Sequence, residues 1–386
     1  MNLELTEEHK LIQKTAREFA EKEVKPLAHE IDETGRFPRE TVRKAAELGF
    51  TGVYVPEKYG GAGMDHISYT IVIEEISRVC ASTGVILSVC NTLFCDPILR
   101  FGNEEQKRKY VVPHARGERI GCYCLTEPQA GSDAANQKTT AVRKGDTYIL
   151  NGTKAWVTNG AVADAGIVYA VTDPSKGSKG ISAFIIESRF PGWKVAREEK
   201  KMGINATATA EIALEDCEVP AANLLGGEGI GFRIALRTLD DGRVGIAAQA
   251  TGIAQGAFDE ASKYAQQRVA FGQPIANFQA IRFMLADMAT EIEAARILLR
   301  RAAWLQDQVG FSTAEPRYTL EASIAKLFAS EMAHRACDKA VQIHGGYGYS
   351  REYPVERMYR DQRITELYEG TSEIQRLVIA RHLLSS

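Results

Sequence analysis

The chain has no C-x-x-C pair, no G-x-G-x-x-G stretch and no continuous apolar run of about 18 residues. Each absence removes a class of protein. Without the glycine fingerprint, and without alternating strands and helices, a Rossmann nucleotide domain is not expected. Without the long run, no segment is expected to span a bilayer. The seven cysteines, Cys80, Cys90, Cys95, Cys122, Cys124, Cys217 and Cys337, are odd in number and scattered. Cys122 and Cys124 flank Tyr123 in a strand-like stretch and share a face, but no further ligands stand at zinc spacing. No metal is expected, and buried, reduced thiols are. The balance of charge is also close to even, with a formal net charge of −3. Neither nucleic acid nor a membrane is therefore expected as a partner. The opening MNLELTEEHKLIQKTAREF is charged and amphipathic, and it lacks an apolar signal core, so a cytoplasmic protein is expected.

What the chain does have is two changes of period along its 386 residues. Residues 1–120 read as helices. Ile12, Ala16, Phe19 and Ala20 recur at helical spacing after a possible Thr6 cap, and FPRETVRKAAELG has Pro38 at its start and Gly49 past its end. Residues 121–230 break into short β-branched and aromatic runs: TYILNGTKAWVTN, GIVYAVT, ISAFIIE, WKVAR and AEIALEDCEV. A small β-barrel or sandwich is predicted there. Residues 231–386 are helical again. Ile281, Leu285, Met288, Ile292, Ala295 and Leu299 step by four and three, a bundle seam, and four helices of similar length are predicted. The expected class is α+β in three domains: a helical N-terminal domain, a middle β-barrel domain and a C-terminal four-helix bundle.

Three segments raise questions of chemistry. CLTEPQAGSD (124–133) ends in small polar residues whose N–H groups and hydroxyls suit a polar ligand edge, although a plain turn accounts for it when taken alone. NGTKAWVTN sets Trp156 beside Thr158, where a flat ring could lie, although a strand Trp is ordinarily core. LYEGTSEIQ holds Glu369 in a short turn, followed by Ser372 and Gln375 in capping-box spacing.

These segments, with RVAFGQPIANFQ, AVQIHGGYGY and YRDQRITELYEGTSEIQRLVIARHLL, stand in the order and spacing of the acyl-CoA dehydrogenases. The resemblance spans essentially the whole chain. It is strongest to the short-chain, butyryl-CoA type, to which TLDDGRVGIAAQATGIAQ adds. It implies FAD, a homotetramer built as a dimer of dimers, an acyl-CoA substrate and an electron-transferring flavoprotein as acceptor.

Residue roles follow by resemblance. Tyr123, Cys124, Leu125, Thr126, Gly131 and Ser132 border the flavin, and Ser132 also faces CoA. Trp156, Val157 and Thr158 pack on the ring system. Arg268, Phe271 and Gln279, with the run Gln342, Ile343, His344, Gly345 and Gly346, reach the FAD of a neighbouring subunit. Thr371, Ser372 and Glu373 complete the cofactor contacts, while Asp240, Asp241, Gly242, Arg243 and Gly370 meet the substrate.

Glu369 resembles the base that takes the Cα proton. In the isovaleryl branch the base sits instead at the point matching Gly242; here that point is Gly and the late position is Glu. Two other readings stay open: an acyl-CoA oxidase using O2, and a non-catalytic binding protein on the same fold. Oxidase relatives are expected to be longer.

Overall fold

The computed structural model describes residues 4–313 and 318–384. The first helix, Glu7–Phe19, starts where Thr6 caps it. The Thr6 hydroxyl accepts the His9 N–H at 3.2 Å, and the His9 ring nitrogen accepts the Thr6 N–H at 3.4 Å. Ile12, Ala16 and Phe19 bury its inner stripe. Arg39–Glu47 follows Pro38 and stops before Gly49, whose φ of 77° suits only glycine well. His66–Ser77 is apolar on nearly every side and is buried accordingly.

Next comes Ala81–Phe101, the one helix among the described residues long and apolar enough to cross a membrane by length and composition. All of its apolar window lies inside the fold. The run-based reading passes over it because Ser88, Asn91, Thr92 and Asp96 interrupt the apolar residues. Asn91 shows why those polar groups belong in the core. Its side chain accepts the Val53 N–H and donates to the carbonyls of Phe50 and Leu87.

Eight strands follow: β1 Gly121–Cys124, β2 Thr140–Lys144, β3 Thr147–Val157, β4 Ala165–Val171, β5 Ile181–Glu187, β6 Trp193–Glu198, β7 Ala210–Pro220 and β8 Leu224–Leu225. They pair in the order β6-β7-β3-β2-β4-β5-β8, with β1 added in parallel to β4. Strand β4 explains how the sheet sits. Ile167 and Tyr169 face the helices, packing with Phe94, Ile98 and Ala235. Val168 and Ala170 face the sheet's own core with Tyr148, Phe184 and Trp193. Both faces are covered, so the strand reads as an unbroken apolar run. β2 is mostly exposed, and so carries almost no apolar signal.

The C-terminal helices are Gly231–Gln267, Gln279–Val309, Thr319–His344, Pro354–Gln362 and Ser372–Leu384. Their lengths differ, against the expectation of four similar helices: 37, 31, 26, 9 and 13 residues. The last two stand in series because the turn carrying Glu369 interrupts them. The predicted seam holds. Met288, Ile292, Ala295 and Leu299 are buried, with Ile281 and Leu285 half-buried against the same core. Gly231–Gln267 runs through the centre of the molecule. At Gly252 a Cβ would stand 2.3 Å from the Glu74 carbonyl oxygen, so only glycine lets His66–Ser77 lie this close.

Candidate active site

Glu369 sits in a left-handed turn, with φ of 53°, followed by Gly370 at 97°. A non-glycine residue is strained there and needs its surroundings to hold it. Four contacts do so. Lys326 Nζ donates to the Gly370 carbonyl at 2.7 Å. Gln375 Nε2 donates to the same oxygen at 2.9 Å and to the Glu369 carbonyl at 3.2 Å. The Tyr368 hydroxyl donates to Gln249 Oε1 on the central helix. The capping box expected at Ser372 is displaced by one residue. Thr371 is the cap, its hydroxyl accepting the Ile374 N–H at 3.3 Å, because Gln375 is already engaged by the turn before it.

The Glu369 side chain points inward. Its Oε2 is closed off from solvent and makes no hydrogen bond. A Cβ placed on Gly242 would stand 1.9 Å from that oxygen, and 3.0 Å from Leu93 Cδ2. Gly242 is therefore the wall on which the carboxyl rests, and a larger residue there would have to displace it. Burial pushes the Glu369 carboxyl up to about 7, with Lys326 and Arg243 pulling the other way. Tyr69, Tyr123 and Tyr368 all sense its charge, which places β1 and His66–Ser77 around it.

Asp240 and Asp241, expected at the substrate, are both bonded to protein groups. Asp240 accepts from Arg243 at 2.9 Å and from Thr319 at 2.8 Å. Asp241 accepts from Gln306 at 2.6 Å and from Tyr318, and lies 3.4 Å from Arg100. Burial drives Asp241 up to about 7, against the pull of Arg100. The reason is angular: consecutive helical residues point about 100° apart, so Asp240, Asp241 and Gly242 cannot share one face.

On the β side, Trp156 is 60% exposed with a φ of 59°. The β3–β7 register breaks between Lys154 and Val157, and this bulge turns the indole out of the core that Val157 enters. Thr158 beside it is half-buried. The bulge is tied to the other predicted segment, since the Ala155 N–H donates to the Thr126 carbonyl at 2.9 Å. Cys124 and Leu125 are buried, Thr126 half-buried, and Gly131 and Ser132 exposed.

A buried ion pair pins this loop. Lys154 Nζ meets Glu127 Oε1 at 2.7 Å, and Glu127 also accepts the N–H groups of Lys138 and Thr139. Burial would raise the Glu127 carboxyl; Lys154 and these donors outweigh it and hold it down at about 2. Its stabilisation is present above the ordinary carboxylate range and is lost as pH falls toward 2. Glu127→Gln strands the lysine and is expected to cost about 3–5 kcal/mol, read as a lowered urea midpoint at pH 7. That difference should shrink in acid.

The remaining predicted cofactor residues collect elsewhere. Arg268, Ile343, His344, Gly345 and Gly346 line a cavity of about 580 Å³ with Tyr264 and Tyr347. None of its lining residues comes from 121–158 or 369–373. Phe271, Gln279 and Gln342 are exposed, Phe271 almost wholly so at 95%. His344 Nδ1 donates to the Ala340 carbonyl at 2.8 Å and the ring stacks on Tyr264 at 4.2 Å. Burial lowers its affinity for a proton, against the pull of the Ala340 carbonyl.

Sequence reasoning missed Lys326, Gln249 and Gln375 as supports of the turn. The signal for Lys326 was available. It shares the buried stripe of Ala322, Ala325, Ala329 and Ala333, where a charge is out of place.

The site fits FAD. Trp156 offers an exposed flat face on a fixed bulge. At the start of the last helix, Ser372 Oγ and Gln375 Oε1 are buried without partners, as polar atoms awaiting a ligand would be.

The comparisons with known proteins agree with this geometry. Residues 6–118, 122–217 and 229–384 match, in turn, the N-terminal, middle and C-terminal domains of acyl-CoA dehydrogenases. The chain belongs to the acyl-CoA dehydrogenase family, FAD-binding oxidoreductases that act on a CH–CH bond. It is 53% identical to the short-chain specific acyl-CoA dehydrogenase of Clostridium acetobutylicum, over 98% of this chain and 99% of that one. The mitochondrial short-chain specific enzyme of Rattus norvegicus is 52% identical, over 100% and 92%. Among solved structures, butyryl-CoA dehydrogenase from Megasphaera elsdenii superposes with a TM-score of 0.96 at 46% identity, covering 100% of both chains. A chain from work on the electron transferring flavoprotein of Acidaminococcus fermentans gives 0.97 at 50%, again over 100% of both. A prolyl acyl carrier protein oxidase, AnaB, gives 0.92 at 36%, over 99% of this chain and 100% of its own. That oxidase, which acts on an acyl carrier protein, is of similar length to this chain.

Proposed function

We propose that this chain removes two hydrogens from the Cα–Cβ bond of a short saturated acyl-CoA, leaving the trans-2-enoyl thioester. The electrons pass on to an electron-transferring flavoprotein. The observation that carries the reading is the Glu369 carboxyl, closed off from solvent against Gly242 on a strained, clamped turn. Glu369 takes the Cα proton. Its burial makes it a stronger base than a solvated carboxylate, with an ordinary pKa near 4.3. Gly370, lacking a side chain, lets the thioester come close to the backbone. Trp156 and Thr158, with Tyr123–Thr126, hold the flavin ring; Thr371–Glu373 hold its polar end at a helix N-terminus. FAD, when bound, supplies the acceptor for the hydride leaving Cβ.

Arg268, Phe271, Gln279 and Gln342–Gly346 serve the cofactor of a second copy, within a dimer of dimers. Their separation from the Glu369 side supports that arrangement. Clostridial and bacillar relatives support a cytoplasmic setting. Short-chain preference rests on the named relatives.

A kinetic series over straight and branched acyl-CoAs tests the substrate class; the reading expects an optimum at four to six carbons, roughly, and fails if long chains turn over best. Reoxidation of the reduced protein decides the acceptor. Fast transfer to an electron-transferring flavoprotein with slow peroxide formation supports the proposal, and the reverse supports an oxidase. Since Glu369 must be ionised to act, kcat/KM should rise through pH about 7, where the buried carboxyl loses its proton. A flat profile from pH 5 to 8 would point to another base.

A further inference from the structure

Resting on the reading of Glu369 as base, we infer that Lys326 is its positioning residue. Lys326 fixes the turn through the Gly370 carbonyl and supplies the buried positive charge against which the carboxylate ionises. Lys326 is fully buried in Thr319–His344, among the small side chains of Ala322, Ser323, Ala329 and Ser330. A buried ammonium is costly unless it meets charge and hydrogen-bond partners. Its Nζ reaches one carbonyl, that of Gly370, at 2.7 Å, one residue beyond the base.

The groups facing the pair are few and known. Glu369 faces Lys326 and Arg243, with Tyr69, Tyr123 and Tyr368 around it. Lys326 faces Glu369 first among charges, then Arg243, Glu366 and Glu331. Arg243 is already bonded to Asp240 at 2.9 Å, which spends much of its charge there. Lys326 is thus the principal cation answering Glu369. Burial draws the lysine down to about 7 while Glu369 pulls it back up, so each group's charge depends on the other.

A packing role alone and this role part company in their dependence on pH. Lys326→Met keeps the volume and leaves Gln375 holding the Gly370 carbonyl, but removes the charge. The expected result is a protein that keeps its FAD absorbance and a KM within about threefold, while the acidic limb of its kcat profile moves up by about one pH unit or more. Activity at pH 7 then falls about fivefold or more and is largely recovered by pH 9. Lys326→Arg keeps the limb in place. An unmoved limb in Lys326→Met overturns the inference, whatever the rate. Failure of both variants to fold and hold flavin assigns Lys326 to the core alone and overturns it too. Glu369→Gln, run alongside, keeps the two ideas apart: an active Glu369→Gln removes the base assignment itself, while an inactive one beside an unshifted Lys326→Met removes only the lysine's role.

Discussion

Glu369→Gln is expected to keep FAD bound and to lower turnover of butyryl-CoA about 10⁴-fold, the upper end of what a positioned base contributes. The amide has the same shape as the carboxyl, so it still fits against Gly242 and keeps the turn's clamps at Lys326, Gln375 and Tyr368. What it loses is the basicity of the carboxylate that takes the Cα proton. The two other acids of the predicted site are already committed: Asp240 is bonded to Arg243 and Thr319, and Asp241 to Gln306 and Tyr318. Steady-state turnover with a dye acceptor, beside the flavin spectrum of each preparation, checks this. Residual activity within tenfold of the parent would move the base elsewhere.

Gly242→Ala is the second large effect. The new Cβ would overlap Glu369 Oε2 at 1.9 Å, and Leu93 blocks movement on one side. Because the carboxyl is the more movable of the two, it must swing off its resting place. A displacement of about 1 Å in a reacting group costs on the order of 10²-fold in rate. The expected signature is a fall in kcat with FAD content and thermal midpoint nearly unchanged, because the methyl group is small and the helix itself tolerates alanine well. An Ala variant with parental kcat would show that the carboxyl does not work from the place described.

Glu369, the proposed base, and Gly242 were both singled out in the chain through the family resemblance. Glu369 lies in a short turn between Tyr368 and Gly370, and Gly242 is the glycine in TLDDGR. The strand runs were legible because β3, β4, β5 and β7 are buried on at least one face. What stayed hidden were facts of direction and partner. Whether Asp240 and Asp241 point to a ligand depends on their angle about a helix axis, and adjacent letters do not convey it. Which of Thr371 and Ser372 caps the last helix depends on where Gln375 is already committed. Lys326 stands on a buried helix face, but its partner, the Gly370 carbonyl, lies 44 residues away, a pairing the letters do not convey. Ala81–Phe101 was missed because its buried polar residues, bonded to backbone, break up an otherwise apolar helix.

The claim on which the rest depends is that Glu369 alone removes the proton on Cα. It can be isolated with an acyl-CoA carrying sulfur in place of Cβ, which has no hydride to give but keeps an acidic Cα. The measurement is loss of deuterium from Cα of that analogue into water, in the FAD-loaded parent and in Glu369→Gln. The account predicts rapid loss in the parent and none above background in the variant. Equal loss in both would contradict it.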